Sequence, residues 1–181
     1  HREFPFPSPV YRKSRHNNIY AAFLLRSAGL RKQLPLLSYR IQESPPPADP
    51  VCVPGQGMAL PFPCTVAKDF PQAKKARLSY RCVNTLMALE MQEEISLMEI
   101  ELFTGRHHQI RVQMAHAGMP LLGDSKYGSE EDKEFSRQIG VKNVALCAFR
   151  LQFIHPATGK NMKFERMPEE EIFLPFFGSG I

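Results

Sequence analysis

The chain has 181 residues, with 23 Lys and Arg against 18 Asp and Glu, a formal net charge of +5. This length fits one ordinary domain, and hydrophobic residues make up 43% of it, which is enough for a packed core. No apolar run approaches the roughly 18 residues that a membrane-spanning helix needs, so we expect no membrane partner.

Residues 1–43 differ from the rest because they hold eight basic and only two acidic residues. Such a segment can contact phosphate by releasing counterions. The same composition also suits a solvated tail or a targeting peptide, and the sequence leaves all three open. Because residue 1 is His, we expect a fragment, a processed product or an incomplete gene product. Residues 20–25 form an apolar run that fits a short buried strand or a helix turn.

Residues 44–73 contain eight prolines. Proline fixes the backbone angle φ and cannot donate to a β-ladder, so we expect an extended connector with at most a short strand. The four cysteines are widely spaced and include no Cys-x-x-Cys pair, so neither a zinc site nor a disulfide framework is predicted. Their use favours a reducing compartment. The cytoplasm is therefore the expected location, with an organelle as the alternative.

Regular patterns begin after residue 74 and continue toward the C-terminus. Residues 77–82 alternate, with Leu78, Tyr80 and Cys82 on the inward side, which predicts a half-buried strand. Residues 95–103 alternate in the same way. The two strands are close enough in sequence to pair antiparallel.

The period then changes to that of a helix over residues 107–117, for which Thr104 is the predicted N-cap and Gly118 the C-cap. Residues 129–142 are charged and fit a helix or a loop. Residues 144–154 predict a further strand, followed by a turn, a short hairpin partner at 162–165 and an aromatic C-terminus packed onto the sheet. Several strands with few helices imply an α+β fold with a mainly antiparallel sheet.

Residues 104–111 read Thr-Gly-Arg-His-His-Gln-Ile-Arg and mark the junction of a strand with a helix. Arg106 lies where a cation opposes the helix dipole, so an anionic partner is expected there. Arg111 lies one turn further on and shares a helix face with His108. The junction predicts a corner that binds phosphate or a carboxylate. Arginines that pair with surface acids are the alternative.

Residues 104–111 resemble the T-G-R-x-H-Q-I-R motif of the RluA family of RNA pseudouridine synthases. Residues 123–128 are similar to the family's G-D-x-x-Y-G motif, and residues 145–159 to its strand ending in H-P-x-T-G. Residues 74–81 fit its lead-in strand. The motifs occur in one order and cover residues 74–168, so 74–181 is interpreted as the C-terminal part of a catalytic domain.

The resemblance implies an enzyme that converts uridine to pseudouridine in tRNA or rRNA, acting as a monomer without a metal or other cofactor. Arg111 would pair with the nucleophilic aspartate. Residues 19–22 look like a family segment whose tyrosine packs against the target base, which would be Tyr20, although a core tyrosine fits equally well. The residues expected to shape the pocket or contact RNA are Arg106, His108, Gln109 and Tyr127.

One departure concerns the nucleophile, which in this family follows Arg-Leu in a segment before the tyrosine. None of the four aspartates in the chain follows Arg-Leu; these are Asp49, Asp69, Asp124 and Asp132. The chain alone is therefore expected to be inactive, with Arg111 facing a carboxylate that the chain does not supply. The alternatives are an RNA-binding module without chemistry and a degenerate product without a stable fold.

Overall fold

The computed structural model describes residues 18–26, 36–42, 64–66 and 73–177. Much of the predicted basic segment and connector lies outside these residues, so their proposed boundaries stay predictions. Within the described part of the chain, no helix is long and apolar enough to cross a membrane.

Within these described ranges, seven strands form one sheet in the order β3-β2-β4-β5-β1-β6-β7, and every neighbouring pair is antiparallel. The strands are β1 (Asn18–Arg26), β2 (Leu36–Gln42), β3 (Cys64–Val66), β4 (Lys74–Ala88), β5 (Glu93–Leu102), β6 (Leu146–Ile154) and β7 (Asn161–Glu165). The helices are α1 (Gln109–His116) and α2 (Glu130–Gln138), with 3₁₀ turns at Leu89–Met91 and Leu174–Phe176. The predicted α+β class with a mainly antiparallel sheet is confirmed.

Strand β1 lies between β5 and β6, and layers on both faces of the sheet cover it. Its residues 20–25 are at most 4% exposed, which explains a continuous apolar run in place of an alternating one. The strand alternative for residues 20–25 is therefore the one that the structure adopts. Because side chains alternate along a strand, β1 sends Ala21 and Phe23 to one face and Ala22 and Leu24 to the other.

Helix α1 packs on one face of the sheet, which we call the α1 face. Ile110 and Met114 of α1 join Phe23, Leu78 and Met98 in one apolar cluster. The helix ends in a Schellman motif, in which the N–H of Met119 donates to the Met114 carbonyl at 2.9 Å and that of Gly118 to Ala115 at 3.0 Å. Gly118 has a φ of 76°, a conformation that glycine adopts without strain. The predicted helix end is confirmed.

The opposite face, which we call the C-terminal face, is covered in part by α2 and the end of the chain. Phe135 of α2 packs with Leu24, Leu97, Phe173 and Phe176. The packing of the aromatic C-terminus onto the sheet is confirmed. Helix α2 begins with a capping box, in which Ser129 accepts the N–H of Asp132 and the Asp132 carboxylate accepts that of Ser129.

Strands β4 and β5 form the predicted antiparallel pair, with Tyr80 opposite Ile100. Leu78 and Tyr80 are buried as expected. Cys82, predicted to lie inward, is exposed. Cys82 is still in register, opposite Met98, and the pairing shifts only after it, between Cys82 and Asn84.

Candidate active site

The residues at the β5–α1 junction are held together by the side chain of Gln109, which is 3% exposed. Its Oε1 accepts the Thr104 hydroxyl at 2.8 Å and the Arg106 N–H at 3.0 Å, while its Nε2 donates to the Arg77 carbonyl at 3.0 Å. Gln109 therefore fastens the loop after β5 to strand β4. With these partners it stabilises the junction, and its predicted contact with RNA stays untested.

The helix begins later than predicted because of His108. This residue has a φ of 52° and occupies the N-cap position, so α1 starts at Gln109. The prediction of Thr104 as the N-cap is wrong. Its hydroxyl donates to Gln109 Oε1 and accepts the Arg77 N–H, both at 2.8 Å. His108 Nδ1 lies 3.0 Å from the Tyr127 hydroxyl. Burial and nearby Arg111 lower the pKa of His108, which favours its neutral form.

Arg111 has its carboxylate partner inside the chain. Its Nε donates to Asp124 Oδ2 at 2.8 Å and its Nη2 to Asp124 Oδ1 at 2.7 Å, a bidentate pair. Asp124 Oδ1 also accepts the N–H groups of Lys126 and Tyr127, both at 3.0 Å. The turn after Leu122 thus supplies one carboxylate partner of Arg111 from within the chain, while Arg111 Nη1 lies 3.5 Å from His108 Nε2. The expectation of a further aspartate from outside the chain stays a prediction.

The electrostatics of this pair suit a structural connection. Burial alone would raise the pKa of Asp124, but hydrogen bonds from Arg111 and from the backbone N–H groups outweigh it and hold that pKa below its usual range. Tyr127 covers the pair, with the Arg111 Cζ 5.0 Å from its ring centroid. The predicted anion-binding corner is thus filled by the chain's own Asp124.

The structure brings His108, Arg111 and Tyr127 together, while Arg106 lies at β4, where its Nε donates to the Lys75 carbonyl at 3.1 Å. Tyr20 packs in the cluster on the C-terminal face, whereas Ile110 and Met114 of α1 pack in the cluster on the other face. That Tyr20 shares a site with Arg111 stays a prediction.

Tyr20 lies in a buried polar group on the C-terminal face of the sheet. Its hydroxyl donates to Glu101 Oε1 at 3.2 Å, and Asn18 Nδ2 donates to the same oxygen at 2.8 Å. Burial, with a contribution from Glu101, raises the pKa of Tyr20, so the phenol stays protonated at neutral pH. Both interpretations of Tyr20 find support here, since the ring joins the core and its edge joins a polar cluster.

Arg150 of β6 is the residue that the sequence analysis missed. It is 3% exposed, lies opposite Tyr20 in the β1–β6 pairing, and places its Cζ 5.1 Å from the Tyr20 ring centroid. Its Nε donates to Glu165. Its Nη1 lies 3.7 Å from Glu99 Oε1, and among the described residues it has no hydrogen-bond partner.

Glu99 connects this arginine to the next strand. The carboxylate is 5% exposed and forms an ion pair with Arg81 of β4. Burial raises the pKa of Glu99, although Arg81 and Arg150 act in the opposite direction. The face thus carries alternating charges from β4 to β7, in the order Arg81, Glu99, Arg150 and Glu165.

A buried guanidinium with an unfilled donor is uncommon, because an unsatisfied buried polar group costs about 1–3 kcal/mol. An acceptor placed on Nη1 would satisfy that donor. The described residues contain no cluster of three metal-ligating side chains. Arg150 can hold such an acceptor beside the ring of Tyr20.

Comparison with known proteins finds relatives named RNA pseudouridine synthases. The RNA pseudouridine synthase YlyB of Bacillus subtilis, named as uncharacterized, is 39% identical over 104 residues, which cover 57% of this chain and 32% of the relative. Ribosomal large subunit pseudouridine synthase D of Zymomonas mobilis is 36% identical over 102 residues, 55% of this chain and 30% of the relative. No protein-family profile matches.

A solved structure, human RNA pseudouridylate synthase domain containing 1, matches with a TM-score of 0.61 at 20% identity, covering 91% of this chain and 58% of that one. The fold is thus that of a pseudouridylate synthase domain. The resemblance to RluA-type pseudouridine synthases is confirmed over about half of the chain. The chain spans about a third of the length of the two curated relatives described above.

Proposed function

We propose that the complete gene product carrying this sequence isomerises uridine to pseudouridine in tRNA or rRNA, and that Tyr20 and Arg150 belong to its active site. The observation that carries the proposal is the Nη1 of Arg150. It is buried beside a tyrosine, and no described residue fills its hydrogen-bonding capacity. The relatives named RNA pseudouridine synthases support the reaction class.

The reaction needs a uridine that has been turned out of the RNA stack. A carboxylate then acts on the nucleoside while the bond from C1′ to N1 breaks and a bond from C1′ to C5 forms. The C5 proton leaves to solvent and N1 gains a proton, so the base is rearranged without net gain or loss of atoms. Arg150 would hold the carboxylate ionised and oriented, and Tyr20 would pack near the base.

The carboxylate is unassigned within the chain. Asp124 is engaged by Arg111, and Asp132 by the capping box of α2. Asp49 and Asp69 lie outside the described residues, and neither follows Arg-Leu. We therefore propose that Arg150 receives an aspartate from a segment that the 181 residues do not include, and that these residues alone are inactive.

Tritium release from RNA labelled at uridine C5 tests both parts, because the isomerisation frees that hydrogen. The complete gene product is expected to release tritium from its target RNA, and the 181-residue chain is expected to release none. Release by the 181-residue chain would contradict the need for an outside aspartate. The substrate is total tRNA and rRNA in which the target uridine has not been converted to pseudouridine. No release of tritium from this RNA by the complete gene product would contradict the proposed reaction.

A second candidate is an RNA-binding module without chemistry, and the lack of an Arg-Leu-Asp segment favours it. It predicts salt-dependent binding of RNA by the complete gene product. It also predicts no tritium release from any RNA, which separates it from the enzyme.

A further inference from the structure

We infer that the RNA strand next to the target uridine binds as a single strand on a surface beside the Tyr20–Arg150 site. This surface, which we call the basic strip, consists of Lys75, Arg77, Phe103 and Arg106. The choice of RNA as the ligand rests on the proposed function, whereas the positions of these residues are those of the structure.

Strand register places the strip on the same face as the site. Arg81 lies opposite Glu99, and Ser79 opposite Glu101, across the β4–β5 pairing. Alternate side chains of a strand share one face, so Arg77 and Lys75 continue that face along β4. The backbone of Phe103 then follows β5 past Arg77, since its N–H donates to the Arg77 carbonyl at 3.1 Å.

Phe103 and Arg77 form a platform at the surface. The Arg77 Cζ lies 5.4 Å from the Phe103 ring centroid, and Phe103 remains 42% exposed. A large exposed aromatic next to a cation is the combination on which unpaired bases stack in proteins that bind single strands. A paired base could not present its face in this way, which is why we infer a single strand.

The charge of the strip is not neutralised by the described part of the chain. Lys75, Arg77 and Arg106 form no ion pair with any described carboxylate. By contrast, at least one ion pair is formed by each of Arg26, Arg81, Arg111 and Arg150. Arg106 is held in place by its bond to the Lys75 carbonyl. Glu101, the acid on the same face of β5, is occupied by Tyr20 and Asn18. Phosphates are the anions that a row of such cations beside an aromatic would bind.

The strip is tested with fluorescence anisotropy of a labelled single-stranded uridine-containing RNA on the 181-residue chain. Phe103→Ala should weaken binding about tenfold, because stacking is lost. The double variant Lys75→Gln with Arg106→Gln should weaken it further and reduce the slope of log affinity against log salt by about 1.4, as two phosphate contacts disappear.

Two further variants keep the result interpretable. Lys75→Gln alone leaves the hydrogen bond from Arg106 to the Lys75 carbonyl in place. In this variant the slope of log affinity against log salt should fall by about half as much as in the double variant. Lys133→Gln with Arg137→Gln removes the same charge from α2, where both cations are in ion pairs, and should leave affinity within about twofold at 150 mM salt. Thermal unfolding of each variant checks that the chain is folded.

Equal weakening by the α2 variant and the strip variant would overturn the inference, since binding would then follow net charge alone. Unchanged binding by Phe103→Ala would overturn the stacking part. These readouts measure binding without catalysis. An RNA that binds the strip without tritium release by the complete product would contradict the proposed reaction but leave the strip intact.

Discussion

Arg150 lies above the ring of Tyr20, with its Cζ 5.1 Å from the ring centroid, although the two residues are 130 positions apart in sequence. Strands β1 and β6 pair directly and set this contact. The pairing places a buried charge beside a phenol on the face of the sheet that the C-terminal segment covers only in part. Arg111, at the centre of the most recognisable motif, lies elsewhere and has a structural partner.

The pair of Arg111 and Asp124 should contribute strongly to stability. The Asp124 side chain is fully buried and that of Arg111 is 18% exposed, and removal of one member of such a pair typically costs about 3–5 kcal/mol. Asp124→Ala is therefore expected to lose about that much free energy of unfolding in urea. Glu134→Ala breaks an exposed pair with Arg137 and should lose less than about 1 kcal/mol. A similar small loss for both variants would contradict the structural role.

The same pair should make the fold sensitive to acid. The folded-state pKa of Asp124 is lowered. The stabilisation by its ionised form is therefore complete above the unfolded-state pKa of about 3.9, and it is lost as pH falls through the folded-state pKa. The difference in unfolding free energy between the wild type and Asp124→Asn should therefore be constant near neutrality and shrink below about pH 4. A difference that stays constant down to pH 2 would show that the charge of Asp124 does not matter.

Gly123 should tolerate no side chain, because a Cβ there would lie 2.0 Å from the Asn143 carbonyl oxygen and φ is +73°. Gly118 offers a matched control, since φ is +76° but no atom lies within 4 Å of its added Cβ. Gly118→Ala should lose about 1–2 kcal/mol from backbone strain alone. Gly123→Ala should lose clearly more or fail to fold, as judged by thermal unfolding, and equal losses would refute the close approach.

Glu99 is expected to respond to pH in the opposite direction to Asp124. Its folded-state pKa is raised by burial, so the ionised form is disfavoured in the fold at neutral pH. The stability of the wild type relative to Glu99→Gln should therefore rise on acidification. The rise begins above the folded-state pKa of Glu99 and is complete near its unfolded-state pKa of about 4.3. Urea unfolding of both proteins between pH 7 and pH 4 measures this. A relative stability that falls on acidification would mean that Arg81 and Arg150 outweigh burial.

Sequence patterns predicted the local structure well where a period was clear. The β4–β5 pair, the Schellman end of α1 and the β6–β7 hairpin all follow from spacing and turn residues. The start of α1 did not, because Thr104 matches an N-cap by residue type while its hydroxyl is used by Gln109. The bulge that follows Cys82 leaves no trace in a pattern of alternating residues.

The site was harder to predict because the order of the strands in the sheet, and not spacing along the sequence, brings its residues into contact. Spacing along the chain does not show that β1 inserts between β5 and β6, or that Asp124 returns to Arg111. One signal for Arg150 was present, namely a charged residue within the apolar run 144–154. Arginine is almost never fully buried unless it is paired, so a charge in such a run indicates partners on adjacent strands.

The proposal that Arg150 belongs to the active site is tested most directly against Arg111, the arginine that the sequence motif predicts for that role. Tritium release by the complete gene product, measured well below the unfolding temperature, compares Arg150→Lys with Arg111→Lys. We predict that Arg150→Lys lowers kcat by about 100-fold or more, as for loss of one preorganised donor, while Arg111→Lys lowers the unfolding temperature and leaves kcat within a few fold. Near-normal turnover by Arg150→Lys together with loss of turnover by a folded Arg111→Lys would contradict the account.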